Sequence, residues 1–321
     1  MKYVLEIVND IERVSGITTF SNNFFKHKKL CDIKRNTVNS KPSIDLCKKI
    51  FTSQSVYCHI LYSIHLPIIV LVCLIFRKKL IIVSHGNLII RKKSKIKKRI
   101  FLTTVKVLSK FANVTTQFLN KREFERSVKI TNNHLICPPF LMVKFYQPKE
   151  NVTSGNRFLY MGARYYDRKG FDRMFQICAA LRKEGRVCSL DLVGVTPSKE
   201  IDQAIRYYNL KGIVNYLAPI FGDEKFILMA KYDALLLLSR SEGWPMVVLE
   251  SINIGLPVIV SEETNIADTV TKFGVGLVCS DFSSVRNTFL LDDLEMRCNE
   301  MLLNHNNSKG FEEIRKEFLS L

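Results

Sequence analysis

Two carboxylates, Glu242 and Glu250, flank a Gly243-Trp244-Pro245-Met246 corner and the apolar run Val247-Val248-Leu249. A carboxylate only accepts hydrogen bonds, which suits it to the hydroxyls of a sugar or ribose. Upstream, Arg164 and Lys169 share one polar stretch that follows the apolar run at 158–161. Two fixed cations at the end of a strand can neutralise a diphosphate. Pro245 fits the first turn of a helix, where a missing N–H costs nothing. Gly255 fits the C′ position after that helix, and Pro257 blocks its continuation. Such a helix follows the apolar strand at 234–238. Its free N–H groups and positive dipole end would meet an anion at the carboxyl edge of a parallel sheet. Glu242 falls in the loop and Glu250 about one to two turns inside the helix, so both can face one crevice at different depths. Cations, helix terminus and paired acceptors together fit a nucleotide-sugar better than a free nucleotide. The plain alternative is a surface loop with a capping acid.

Two weaker candidates lie in the first half. His85 follows the strand-like residues 80–83 in the turn Ser84-His85-Gly86-Asn87. A His-Gly pair at the carboxyl end of a strand is a credible site position, although a lone histidine is often structural. Gly16 lies in the polar turn after the strand-like residues 3–8. It is a candidate for close substrate approach, and a structural turn fits it equally well.

The elements that must hold these residues alternate. Strands are expected at 3–8, 55–60, 80–83 and 114–118, then at 158–161, 189–193, 213–217, 234–238 and 258–260, while 133–137 leads into Pro138-Pro139-Phe140. Between them, 66–76 reads as a buried helix, 102–111 as an amphipathic one, and a charged helix starts near 121. Further helices are expected at 171–184, 201–210, 225–231 and 312–319, while 26–50 is basic and broken by polar residues. Alternating strands and helices argue for parallel α/β sheets. A chain of 321 residues has room for two domains. We place them at 1–150 and 151–321, with a polar linker at 141–156.

Charge divides the chain at the same place. Net charge is +18, yet residues 1–150 hold 28 Lys+Arg against 8 Asp+Glu, and the remainder holds 20 against 22. The first half therefore favours an anionic partner. Its densest stretch, 91–99, has seven cations in nine residues. It could be a solvated face, grip nucleic-acid phosphates, or meet anionic lipid at about 1 kcal/mol per cation. No aromatic residues interleave with it, so it makes no base-stacking platform. The longest apolar run, 66–76, is eleven residues, whereas a membrane span needs about 20. A shallow membrane-facing helix stays open beside a buried one. No signal peptide is read at 3–8, where acids soon interrupt the apolar residues. Nine cysteines with no C-x-x-C spacing read as buried reduced thiols in a cytoplasmic protein.

With these residues in view, the chain resembles the family-4 glycosyltransferases of the bacterial surface-polysaccharide type. The resemblance is carried by Gly162-Ala163-Arg164, Lys169-Gly170-Phe171-Asp172, Leu192-Val193-Gly194 and Ser241-Glu242-Gly243-Trp244-Pro245. It continues through Leu249-Glu250, at the E-x7-E spacing, and Gly255-Leu256-Pro257-Val258-Ile259. Looser matches are Ser15-Gly16-Ile17-Thr18-Thr19-Phe20, His85-Gly86 and Ile136-Cys137-Pro138-Pro139. Where the family commonly has a glycine-containing loop after the strand at 258–260, this chain has Glu262 and Glu263.

The resemblance implies a GT-B α/β architecture of two Rossmann-like domains with parallel sheets facing a central cleft. The first domain would take the acceptor and the second the nucleotide-diphosphate sugar. Glu242, His85, Arg164 and Lys169 would act in catalysis. Gly16, Arg164, Lys169, Glu242, Gly243, Trp244, Pro245, Met246 and Glu250 would hold the donor, with Glu250 on the ribose and Glu242 on the transferred sugar. The implied reaction retains anomeric configuration by front-face substitution, the leaving diphosphate taking the acceptor's proton. No metal or cofactor is expected, in keeping with the lack of an Asp-x-Asp pair. The implied enzyme moves a hexose-type sugar to a lipid-linked oligosaccharide or to a lipopolysaccharide or capsule acceptor. It would work in the cytoplasm, peripherally at the inner face of the cytoplasmic membrane, with anionic lipid as a partner and nucleic acid not. A non-catalytic nucleotide-sugar binder and a basic nucleic-acid-binding protein are the competing readings.

Overall fold

The computed structural model describes residues 3–9, 16–27, 29–89, 96–139 and 156–282, with Lys316. These fall into two compact units, one of residues 1–142 with 305–321 and the other of residues 143–304. The linker and boundary expected near 150, the helix expected at 312–319 apart from Lys316, and the cations at 91–95 lie outside the described residues. Each unit is built round a six-stranded sheet, and every strand pair in both sheets is parallel.

The first unit runs β1 (Val4–Val8), α1 (Gly16–Phe24), β2 (Arg35–Asn39), α2 (Ile44–Thr52), β3 (Ser55–Cys58) and α3 (His65–Ile75). It continues with β4 (Lys79–Val83), α4 (Ile96–Ser109), β5 (Val114–Phe118), α5 (Lys121–Arg126) and β6 (Asn133–Ile136). The sheet order is β2-β1-β3-β4-β5-β6. The chain thus steps outward from β1 to β2 and then crosses to β3 on the other side of β1. The connections leaving β1 and β3 diverge there, which opens a crevice at their carboxyl ends. Leu5, Ile7, Val56, Cys58, Leu80 and Ile82 pack with Leu66, Ile69, Val70 and Cys73 in one core.

Three elements in this unit were not expected, β6 among them. β2 is an edge strand of mostly polar residues, with Val38 its only buried position, so it lacks the apolar run of an interior strand. α2 has an N-cap signature, Ser43 accepting from the Leu46 N–H at 3.0 Å and Asp45 in the first turn, where both stabilise a helix start. The helix expected to be buried at 66–76 is only half-buried. Leu66, Ile69, Val70 and Cys73 face the core, but Ile68, Leu71 and Ile75 are 41, 45 and 64% exposed. A helix apolar on all sides still has only one side against the sheet.

The second unit runs β7 (Asn156–Met161), α6 (Tyr166–Lys169), α7 (Phe171–Lys183), β8 (Cys188–Val193), α8 (Lys199–Tyr207) and β9 (Val214–Leu217). It continues with α9 (Gly222–Met229), β10 (Ala234–Leu237), α10 (Met246–Asn253), β11 (Val258–Ser261), α11 (Ala267–Phe273) and β12 (Gly276–Cys279). The order β12-β11-β10-β7-β8-β9 puts the switch point between β7 and β10. α10 stops as expected. Gly255 has φ 74°, its N–H meets the Ile252 carbonyl at 3.0 Å, and the Leu256 N–H meets Ser251 at 3.0 Å. That pair of bonds is a Schellman motif, which needs a left-handed residue at C′. Pro245 differs slightly from expectation. It is the N-cap, with extended φ −78° and ψ 106°, and the helix starts at Met246. Among the described residues no helix is long and apolar enough to cross a membrane.

Candidate active site

The β7–β10 switch point brings two loops together, residues 162–170 after β7 and 238–245 after β10. They meet backbone to backbone at Gly170. This residue has φ 67°, and a Cβ there would lie 2.1 Å from the Leu238 carbonyl oxygen. Only glycine fits both the left-handed backbone and the close approach. Two arginines fasten the junction. Arg240 donates its N–H to the Arg168 carbonyl at 2.9 Å. Its guanidinium reaches the Asp167 carbonyl at 2.7 Å and both Asp172 oxygens at 2.8 and 2.6 Å. Burial works upward on Asp172, but the hydrogen bond and charge of Arg240 bring its carboxyl below the usual range. Arg173 donates to the Leu238 carbonyl at 3.3 Å and to both oxygens of Glu263 at 3.0 and 2.5 Å. Glu263 is therefore held by its own guanidinium, and Glu262 is exposed.

On this frame the expected site residues separate into two groups. Lys169, at the end of the single turn α6, places Nζ 2.5 Å from Glu242 Oε1, with side chains 13 and 14% exposed. Arg164 is exposed on the same loop. Gly243 and Trp244 are half-buried, and Pro245 and Met246 are buried. Glu250 sits inside α10, buried, and its Oε1 accepts from Lys225 Nζ of α9 at 2.6 Å. Burial raises the Glu250 pKa and the Lys225 charge opposes it. Glu242 and Glu250 thus keep different cations.

In the first unit, the turn before Gly16 lies outside the described residues, and Gly16 itself opens α1. His85 stands at the carboxyl end of β4 in a left-handed turn, φ 45°. Buried Glu123 of α5 holds that turn, accepting from Ser84 Oγ at 2.5 Å, from the Gly86 N–H, and from the Leu119 N–H at 2.7 Å. His85 Nε2 lies 2.8 Å from His59 Nδ1, and His59 Nε2 lies 3.0 Å from Glu6 Oε1. Glu6 also accepts from Ser21 Oγ, from Thr37 Oγ1 at 2.7 Å and from Arg35 at 3.3 Å. Glu6, His59, Glu123 and Lys225 were not among the expected residues. Glu6 did leave a signal: it is an acid in the middle of the apolar strand Val4-Leu5-Glu6-Ile7-Val8, and a buried carboxylate demands partners.

With this geometry established, the relatives can be weighed. Residues 143–288 match the family described as glycosyl transferases group 1. The second unit is similar to that family. No curated protein matches the chain. Among solved structures, Anabaena Alr3699/HepE in complex with UDP is 14% identical with TM-score 0.67, covering 99% of this chain and 93% of its own. WaaG, a glycosyltransferase involved in lipopolysaccharide biosynthesis, is 12% identical with TM-score 0.66, covering 99% and 100%. The lipopolysaccharide outer core galactosyltransferase WaaB in its apo form is 14% identical with TM-score 0.62, covering 100% and 99%. These likenesses show the α/β GT-B fold, and the group 1 match supports a glycosyltransferase. The match spans Arg164, Lys169, Lys225, Glu242 and Glu250.

Proposed function

We propose that the protein is a retaining glycosyltransferase that moves a hexose-type sugar from a nucleotide-diphosphate sugar to a lipid-linked oligosaccharide or a lipopolysaccharide or capsule acceptor. The observation that carries this reading is the Lys169–Glu242 pair at the β7–β10 switch point, with Arg164 on the same loop as Lys169. Arg164, Lys169 and the amides at the start of α10 stabilise charge developing on the leaving diphosphate, which takes the acceptor's proton. Cations of the chain thus serve where other transferases use a metal. Glu242 accepts from hydroxyls of the transferred sugar, and the Gly243-Trp244-Pro245-Met246 corner packs beside the donor. Glu250, with Lys225 behind it, accepts from the ribose. In the first unit, Gly16 and His85 serve substrate hydroxyls.

The group 1 match and the UDP complex of the HepE neighbour support the donor class. WaaG, involved in lipopolysaccharide biosynthesis, and WaaB, a lipopolysaccharide outer core galactosyltransferase, support the acceptor class. A peripheral position on anionic lipid at the inner face of the cytoplasmic membrane is part of the proposal. The exposed Ile68, Leu71 and Ile75 of α3, and Ile96, Ile100 and Val107 of α4, favour it, as does the surplus of cations in the first half. The test is a thermal-shift screen of nucleotide-sugars followed by mass spectrometry of transfer products. Glu250→Ala and Lys169→Ala should each abolish transfer. Full activity in both variants would sink the site assignment, and donor binding without transfer to any acceptor would leave a sugar-nucleotide binder.

A further inference from the structure

The first unit contains a hydrogen-bonded run from buried Glu6, in the middle of β1, through buried His59, just after β3, to half-buried His85, after β4. Strands β1 and β3 flank that sheet's switch point. Phe20 packs edge-on against both imidazoles at 5.7 and 5.0 Å, and Tyr57 edge-on against His59 at 4.9 Å. These perpendicular ring contacts restrict how the two imidazoles can turn. His85 Nδ1 makes no hydrogen bond to a described residue.

Proton bookkeeping along the run leaves one solution when His59 carries a single proton. A carboxylate accepts and does not donate, so His59 must place its proton on Nε2, towards Glu6. His59 Nδ1 is then an acceptor, and His85 must donate to it from Nε2. His85 Nδ1 is left with a bare lone pair. Burial, the larger cause, holds the His85 pKa well below its ordinary value, which disfavours a second proton on that lone pair.

We propose that Glu6 and His59 are positioning residues that lock His85 as the Nε2-protonated tautomer, so that Nδ1 accepts a hydrogen bond from a hydroxyl of the sugar or acceptor. This rests on the assignment of His85 to the transfer site, and the test separates the two. Which ring nitrogen of a histidine carries the proton is set by the hydrogen bond that the other nitrogen makes, and here the partner is a second imidazole that a carboxylate holds.

Glu6→Gln inverts the run without deleting a side chain. Arg35 can only donate, so the glutamine carbonyl stays on the side of Arg35 and Thr37. Its amide NH2 then falls on the side of His59 Nε2 and donates to it. His59 moves its proton to Nδ1, donates to His85 Nε2, and His85 must carry its proton on Nδ1. The lone pair that met the hydroxyl becomes a donor.

The experiment is 15N-histidine NMR of the full chain, with His85 assigned by His85→Ala, run where the His59 signals report one proton. We expect wild-type His85 protonated on Nε2 and Glu6→Gln His85 protonated on Nδ1. In steady-state transfer, Glu6→Gln should lower kcat at least about tenfold, the scale of one hydrogen bond turned unfavourable, with KM for the nucleotide-sugar unchanged. His85 protonated on Nδ1 in the wild type overturns the proposal, and that spectrum decides it even if the variant does not fold. An unswapped tautomer in Glu6→Gln, or a swapped one with unchanged kcat, overturns it too. Full transfer by His85→Ala would instead remove His85 from the reaction while leaving the tautomer measurement intact.

Discussion

Lys169 Nζ lies 2.5 Å from Glu242 Oε1, each side chain about one-seventh exposed, across the junction where Gly170 touches Leu238. The cation assigned to the diphosphate and the acceptor assigned to the sugar are therefore direct partners before any donor arrives. A bound diphosphate must share Lys169 with a carboxylate that repels it. Glu242→Gln should accordingly bind a nucleoside diphosphate about three- to tenfold more tightly, about 1 kcal/mol for a partly buried charge removed, yet lose transfer by more than about a hundredfold. Calorimetry with UDP beside a transfer assay checks both halves, and weaker binding would mean that Glu242 supports the diphosphate.

Lys225 has the corresponding task behind Glu250. Burial pushes the Glu250 carboxyl up, and Lys225 is what pulls it back. Lys225→Met removes the opposing charge, so the Glu250 pKa rises further and its ionised form appears only at higher pH. Donor affinity in Lys225→Met should fall about tenfold near neutral pH and recover as pH rises, whereas the wild type should vary less over the same interval. Dissociation constants measured across pH test this, and parallel profiles would rule out Glu250 as the titrating acceptor.

The loops and strands of the second unit were legible in sequence because their chemistry is local. Gly255 and Pro257 end a helix by backbone rules, and Arg164, Lys169 and Glu242 lie in polar loops bounded by apolar strands. The partners of those residues were not legible. Lys225 and Glu250 meet only because α9 and α10 pack together, and Arg173 meets Glu263 across 90 residues of sequence. In the first unit, β2 escaped detection because an edge strand needs little apolar surface, and α2 because its periodicity sits inside a basic stretch. Glu6, His59 and His85 come from three strands that a switch in strand order brings side by side. One sequence position alone announced them: an acid inside a strand that is otherwise apolar.

Gly170 tests the junction itself. A Cβ would lie 2.1 Å from the Leu238 carbonyl oxygen at a left-handed φ, so Gly170→Ala must move one loop off the other. We expect at least about 2 kcal/mol lost in urea denaturation, from backbone strain and the clash together. Donor affinity should fall as well, because Lys169 immediately precedes the hinge. Stability within about 0.5 kcal/mol of wild type would show that the two loops part freely.

Glu6 gives the first unit an acid-sensitive element whose sign follows from its partners. Burial works upward on its pKa. The hydrogen bond and charge of His59, with the Ser21 and Thr37 hydroxyls, overcome it and hold the carboxyl at about 2 against an ordinary 4.5. A carboxyl with a depressed folded-state pKa favours folding above its unfolded value. That contribution fades as pH falls from about 4.5 to about 2, where folded and unfolded states bind the proton alike. The shift corresponds to roughly 3 kcal/mol. Urea midpoints followed by circular dichroism should therefore drop across this window in the wild type more steeply than in Glu6→Gln, which has no proton to gain there. Equal slopes would mean that Glu6 is no better stabilised as an anion in the folded chain than in water, and the run from Glu6 to His85 would lose its fixed end.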